Sequence, residues 1–579
     1  MPRPAGFFTF VLHAHLPYVM AHGRWPHGMD WLNEATAETY LPLLRVLRRL
    51  EETGRKAKVT LGITPVLLEQ LRDPFFAEEF TAYLRQKTEA ARQDGREFAR
   101  TGERHLAALA DRWVTFYEGL EADFEGVGRD LVGAFARMQE AGQIELLTSA
   151  ATHGYLPLLS RDTSVQAQVK VGIRTTTRHT GRAPRGIWLP ECAYRPRYAW
   201  TPPVGTRGVE EPPRLRKGVE EFLQENGLDY FVVDSHLLKG GKAIGVYLDR
   251  FEALRRLWGQ FAEAYPVRPE TGERSPYDLY WVASAPRAAG PVAIFTRDPR
   301  TGVQVWSGEH GYPGNGFYLD FHKKRWPGGH RYWRVTSAKA DLGAKQPYEP
   351  ERAAGVIPEQ AAHFAGLVRD LLQEHAGRTG RPGMVTAPYD AELFGHWWFE
   401  GPDWLEAVLR RLADDPAVEL ATCSEVLDRQ PPTTVITLPE GSWGEGGFHF
   451  IWLNEATEWT WRYVYEAEET MEGLAREFAV REDPTLQAVL RQAARTLLLL
   501  QASDWQFLIS TWSARDYAEM RLANHYHDFV RLAALARRHG RGEPVDPGEW
   551  EYLGLCEKRD NLFPDLDPRW WAAVEHPAT

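Results

Sequence analysis

Short apolar runs alternate with longer amphipathic stretches along most of this chain. The runs are Phe7–Leu12, Val59–Ile63, Ile144–Thr148, Ile187–Leu189, Tyr230–Val233, Val292–Thr296 and Met384–Ala387. Each is rich in β-branched or aromatic residues and bounded by polar, Gly or Pro positions, which predicts a buried strand. Helical spacing between the runs predicts parallel strands joined by helical crossovers. Polar residues stand directly after each run: His13 and His15, Thr64, Thr152 and His153, Glu191, Asp234 and His236, Arg297 and Asp298, and Asp390. That is the layout of a β/α barrel, whose active site gathers at the C-terminal strand ends. The count is about seven strands, one fewer than the regular barrel.

Some stretches break the rhythm. Residues from about 85 to 142 are charged and poor in β-branched types, which predicts a helical insertion between two barrel strands. Residues 196–218, rich in Pro, Gly and Arg, predict a surface excursion, and 238–285, with Tyr247, a long loop of the kind that lids a barrel mouth. After Pro431 the pattern turns helical. Asp483-Pro484 makes an N-cap and N1 pair. From there Leu486, Leu490, Ala493, Leu497 and Leu500 step by three and four, and the stripe, continued, puts Asp504 on a buried seam. Asp504 is then either an acid held by an Arg or a backbone N–H, or a residue reaching a cleft. The pattern leaves both open.

Composition narrows the partners. The 579 residues carry 68 basic and 79 acidic side chains, net −11, with no basic block, which argues against nucleic acid and anionic membranes. Three cysteines, Cys192, Cys423 and Cys556, form no CxxC pair or disulfide framework and fit a reducing, cytoplasmic compartment. The N-terminal apolar run has no basic flank or small-residue cleavage site, and no run is long enough to span a membrane. The 22 tryptophans are numerous; they suit either a large aromatic core or a surface for sugar rings.

Two segments favour the second reading. Trp188-Leu-Pro-Glu191-Cys-Ala-Tyr194 and Pro388-Tyr-Asp390-Ala-Glu392-Leu-Phe-Gly-His396-Trp397-Trp398 each end a strand on a carboxylate among aromatics. A carboxylate pair beside rings suits cleavage of a glycosidic bond. Singly, Glu191 could pair with Arg195, and Asp390 could cap the next turn. Glu392 and Glu400 are rivals for the acid, placed past the strand end. His13 and His15 project to one side of their strand. With Asp234 and His236 they could hold a divalent metal, but no third ligand stands at a familiar spacing. Hydrogen bonding to sugar hydroxyls is the favoured role for them and for His153. Trp443, after Gly441-Ser442, and Trp452 are candidates for a stacking platform.

At these residues the chain resembles glycoside hydrolase family 57, and within it the 1,4-α-glucan branching enzymes. His13-Ala-His15-Leu-Pro-Tyr18, Leu61-Gly-Ile-Thr-Pro65, Trp188-Leu-Pro-Glu191 and Ala387-Pro-Tyr-Asp390 are similar to its motifs. The resemblance covers nearly the whole chain. It implies a (β/α)7 barrel (residues 1–88 and 143–430), a helical insertion (89–142) and a C-terminal helical domain (431–579) contributing to the cleft. It also implies a retaining reaction on α-1,4-glucan without metal or organic cofactor; an α-amylase or a 4-α-glucanotransferase with the same carboxylates is the alternative, and a monomer is the expected state. Glu191 matches the nucleophile and Asp390 the acid/base. Arg297, Gly314, Trp443, Asp504, His396, Trp397 and Trp188 match glucan-contact positions or flank them, and Tyr247 matches a lid tyrosine. Two close carboxylates cannot both ionise cheaply, so these roles imply an ionised Glu191 beside a protonated Asp390. Ser513 stands where the family has a substrate-contact glutamine, and Cys192 where relatives carry Met.

Overall fold

The structure, a computed structural model, describes residues 3–572 apart from 207–210, 242, 244–250, 265–266, 268, 271, 273, 286–290, 308–310 and 338. Seven parallel strands form the centre: β1 (Gly6–Ala14), β2 (Val59–Ile63), β3 (Ile144–Ser149), β4 (Gly186–Trp188), β5 (Tyr230–Val233), β6 (Val292–Thr296) and β7 (Gly383–Asp390). Their order is β7-β1-β2-β3-β4-β5-β6. A parallel bridge between Arg297 and Thr386 joins the two ends, so the curled sheet closes on itself. β1 and β2 are buried at every residue, as expected of strands covered on both faces. Three short strands extend this sheet. Tyr280–Val282 runs antiparallel to β6, Val435–Ile436 pairs with it, and Val418–Leu420 lies beside β1.

The register of β1 and β7 matters most for function. Residues Gly6 to His13 pair in step with Gly383 to Asp390, which sets His13 beside Asp390 at the barrel mouth. The helical insertion comprises Pro74–Thr101, Arg104–Gly126 and Leu131–Glu140. Its first helix starts at Pro74, where Asp73 caps it, and runs unbroken past residue 88, the edge drawn from sequence. The excursion at 196–218 contains a small hairpin of Tyr198–Trp200 and Arg214–Arg216. The stretch 238–285 is less loop-like than its sequence predicts. It holds the helix Glu252–Phe261 and the strand Tyr280–Val282, while Tyr247 lies outside the described residues.

The C-terminal region packs Glu458–Phe478, Pro484–Leu500, Asp504–Thr511, Arg515–Gly540 and Pro547–Arg559. Asp483 accepts from the backbone N–H groups of Thr485 and Leu486, the predicted cap. The apolar stripe does not continue to Asp504. The helix stops at Leu500, and Asp504 opens a new one, which turns its carboxylate towards the barrel. A buried cluster fastens this region to the loop after β1. His22 Nε2 donates to Asp560 Oδ1 at 2.6 Å, Arg559 Nη2 to Asp560 Oδ2 at 2.7 Å, and Tyr517 OH to the His22 carbonyl at 3.0 Å. Burial alone would raise the Asp560 carboxyl, but these hydrogen bonds hold it well below the usual carboxylate range. Among the described residues no helix is long and apolar enough to cross a membrane.

Asp560→Asn should therefore lower stability near pH 7 by about 3 kcal/mol, since one partner of a buried ionic cluster is lost. A depressed carboxyl stabilises above its unfolded pKa, so the difference from wild type should shrink as pH falls below about 4. Urea titrations at pH 7 and pH 3.5 check both.

Candidate active site

The loops after β1, β3, β4 and β7 meet the helix Asp504–Thr511 around a cavity of about 430 Å³. His13, His15, His153, Glu191, Asp390, Glu392, His396, Trp397, Trp443, Asp504 and Ser513 all line it. Segments distant in sequence thus converge on one cavity, as the strand-end argument predicts.

Glu191 follows β4 on a tight turn. It takes φ 60° and Cys192 φ 48°, left-handed conformations that cost a non-glycine residue about 1–2 kcal/mol each. Neighbouring backbone holds the turn: Tyr194 and Gly441 exchange hydrogen bonds at 2.8 and 3.0 Å, and Trp443 N–H reaches the Glu191 carbonyl at 3.1 Å. The same tryptophan donates its indole N–H to Glu191 Oε2 at 2.8 Å. Arg195, the sequence candidate for a salt bridge, makes no bond to Glu191.

Glu191 is not held ionised. Burial pushes its carboxyl up to about 8, the indole N–H opposes this, and the negative charges of Asp390 and Asp504 add to it. His13 and His153 supply no compensating charge. Burial takes His13 and His153 well below the ordinary imidazole value, and His13 Nε2 bonds His153 Nε2 at 3.0 Å. The expectation of an ionised Glu191 fails because desolvation outweighs the single donor on the carboxylate.

Asp390 ends β7 and makes no side-chain cap to the turn after it, so the capping role is not realised. Glu392 is committed elsewhere: it accepts from Tyr40 OH at 2.5 Å and from the His15 backbone N–H at 3.0 Å. Glu400 accepts from Leu319 N–H and Tyr348 OH, away from the cavity. Asp504 holds His15 Nε2 at 3.0 Å, while His15 Nδ1 bonds Thr64 at 3.1 Å. The cleft-reaching alternative for Asp504 is the one the fold realises.

Several expected contact residues stand behind the wall. Trp188 is fully buried and stacks on His13 at 4.6 Å. Asp234 forms a buried ion pair with Arg297, and His236 lies 3.6 Å from the same carboxylate. Trp452 is fully buried against Tyr155 at 4.5 Å, so it is core rather than platform. Gly314 closes a turn, Tyr312–Gly314, outside the cavity lining. Sequence reading missed Trp31, Trp306, Phe321, Phe251 and Phe507, which also line the cavity. For Phe507 a signal existed, since it sits one helical turn after Asp504.

A metal finds poor geometry here. Asp234 and His236 lie with Arg297, not with His13 and His15. His15, His153 and Asp504 do bring ligand atoms within 4.8 Å of one another. Yet the two imidazoles lie face to face at 3.9 Å and 18°, so their in-plane lone pairs run parallel instead of meeting at one ion.

Comparison with known proteins agrees with this geometry. Residues 9–439 match the model of glycosyl hydrolase family 57, and residues 463–571 that of the 1,4-alpha-glucan branching enzyme C-terminal region. The chain belongs to glycosyl hydrolase family 57. A 1,4-alpha-glucan branching enzyme of Thermococcus kodakarensis is 42% identical over 96% of this chain and 77% of its own length. The crystal structure of a branching enzyme of this family from Pyrococcus horikoshii superposes with a TM-score of 0.86 at 40% identity, covering 99% of this chain and 98% of that one. An α-amylase from Thermotoga maritima is more distant, at 28% identity and a TM-score of 0.79 over 99% of this chain and 100% of its own. The family membership accounts for the seven-stranded barrel.

Two results should follow from the site. A carboxyl raised in the folded state favours folding below its unfolded value, about 4.3, and loses that contribution as pH climbs through its folded value. Glu191→Gln should therefore melt higher than wild type at pH 9, by a few degrees, with the gap closing by pH 5 in calorimetry. Trp443→Phe removes the indole N–H, the one donor among the described residues that lowers Glu191. It should move the acid limb of kcat/KM to higher pH; an unmoved limb would detach Trp443 from Glu191.

Proposed function

We propose that this protein is a retaining 1,4-α-glucan branching enzyme, with Glu191 as nucleophile and Asp390 as acid/base. One observation carries the reading. The wall of the cavity facing the barrel carboxylates is built from Asp504, Phe507, Leu508 and Ser513, all within the segment that matches the branching-enzyme C-terminal model. The cleft thus combines the Glu191–Asp390 pair with a wall supplied by the segment that matches the branching-enzyme C-terminal model.

In the first half-reaction, Glu191 attacks the anomeric carbon of an α-1,4-linked glucose unit, and Asp390 passes its proton to the departing glycosidic oxygen. Glu191 attacks as the carboxylate, so in the reactive form its proton has left to solvent and the pair holds one proton, on Asp390. Positive charge developing at the anomeric centre then stabilises the ionised Glu191 against its desolvation. The second half-reaction delivers the glycosyl ester to a glucan 6-hydroxyl, whose proton returns to Asp390. Trp31, Trp306, Trp397 and Trp443 offer ring faces for glucose units and exclude water, favouring transfer over hydrolysis. His13, His15 and His153 are placed for sugar hydroxyls. Ser513, hydrogen-bonded to Thr511 at 2.8 Å, reaches less far than the glutamine it replaces. The product would be a branched, glycogen-like polysaccharide. Three free, buried cysteines suit work in a reducing, cytoplasmic setting.

The second reading is an α-amylase with the same carboxylates, favoured by the Thermotoga maritima structure. Amylose incubated with pure protein separates the two. Proton NMR should show new α-1,6 linkages with few new reducing ends; reducing ends without α-1,6 signal would make it an amylase. Glu191→Gln should lose both activities by at least about 10³-fold. Asp390→Asn should lose most activity on amylose but keep glycosylation by a glucosyl donor whose leaving group needs no protonation. Equal losses on both donors would remove Asp390 from the acid role.

A further inference from the structure

We propose that Glu38 is a positioning residue for His396, fixing the imidazole so that its Nε2 accepts a hydrogen bond from a glucan hydroxyl in the catalytic cavity. The inference rests on the glucan reading above.

Glu38 lies in a single π-helical turn, Thr36–Tyr40, between the helices Met29–Ala35 and Leu41–Glu52. Such turns re-aim side chains and recur at functional sites. Its side chain is buried, and both oxygens are occupied. Oε1 accepts from Arg331 Nη2 at 2.9 Å, and Oε2 from His396 Nδ1 at 2.7 Å. Burial alone would raise this carboxyl, but Arg331 and His396 hold it down to about 2, so it is ionised at neutral pH. An ionised carboxylate only accepts, so Nδ1 carries the hydrogen. Whenever the ring carries a single proton, its Nε2 is then a bare acceptor.

The rest of the loop fixes the ring's place. Arg331 Nη1 donates to the His396 carbonyl at 3.1 Å, and His396 N–H donates to Thr39 Oγ1 at 3.3 Å. Phe321 meets the imidazole edge-on at 5.2 Å. Gly395 has φ 114°, and a Cβ there would lie 1.7 Å from the Glu38 carbonyl oxygen. Only glycine lets the two segments come this close. His396 lines the cavity with Glu191 and Asp390, and Glu38 occupies its Nδ1 and not its Nε2. A carboxylate that sets the tautomer of a second group is a recurring device. The bland alternative is that Glu38 only neutralises Arg331.

Glu38→Gln separates them. Arg331 would take the new amide's carbonyl oxygen, leaving its NH₂ to face Nδ1. Nδ1 must then accept, and the ring proton moves to Nε2. With ring-¹⁵N histidine, assigned through His396→Gln, NMR should show an Nδ1–H tautomer in the wild type and Nε2–H in Glu38→Gln. KM for amylose should rise about tenfold with kcat little changed. In a His396→Ala background, Glu38→Gln should add nothing. An Nε2–H tautomer in the wild type, or an undiminished effect in that background, overturns the proposal. The wild-type tautomer decides even if Glu38→Gln does not fold. Failure of the glucan reading is distinguishable, because wild type would then leave amylose unchanged while the tautomer stayed measurable.

Discussion

Carboxyl groups held together out of water are the constraint on which this site depends. Glu191, Asp390 and Asp504 share one cavity, and the negative charges of the two aspartates add to the cost of ionising Glu191. Burial keeps His13 and His153 from carrying charge, and the Trp443 indole N–H donates to the Glu191 carboxylate. Such a site disfavours the folded state at high pH. It is also one whose missing positive charge a glycosyl cation can supply. The fold tolerates it because the surroundings are over-determined, as strained functional sites require.

Each carboxylate has its own means of support. Asp390 is carried by strand register, because in-step pairing of β1 with β7 leaves no freedom in where it sits relative to His13. Glu191 is carried by a strained turn clamped from the Tyr194–Gly441 bridge and the Trp443 backbone. Asp504 comes from another region altogether. It is held through His15 and, more remotely, through the buried cluster of His22, Asp560 and Arg559. Cleavage chemistry therefore needs both the barrel and the C-terminal helices in place, and a loosened interface would be felt as lost activity before unfolding.

A second layer of buried polar pairs lies behind the cavity wall. Asp234 with Arg297 backs Trp443, whose ring lies 5.7 Å from the Arg297 guanidinium. Glu392 ties Tyr40 to the His15 backbone. Trp188 stacks under His13. Several residues that sequence offered as substrate contacts thus act by holding those that do face the cavity.

The sequence alone determined the strand set, because strands buried on both faces must be short, apolar and bounded by polar residues. It also singled out Glu191 and Asp390 as strand-end acids among aromatics, and the fold sets both on one cavity. It marked the Asp483 cap, the helical insertion and the helical C-terminal region. It did not determine which polar residues look into the cavity. Asp234, His236 and Trp452 share the local signature of His13, His15 and Trp443, and only packing turned them inward. Nor did it determine the ionisation of Glu191, which depends on burial and on charges 199 and 313 residues further along the chain. Periodicity is a local property of the chain and can be read from it. Desolvation is a property of everything that surrounds a group, and only the tertiary structure decides that.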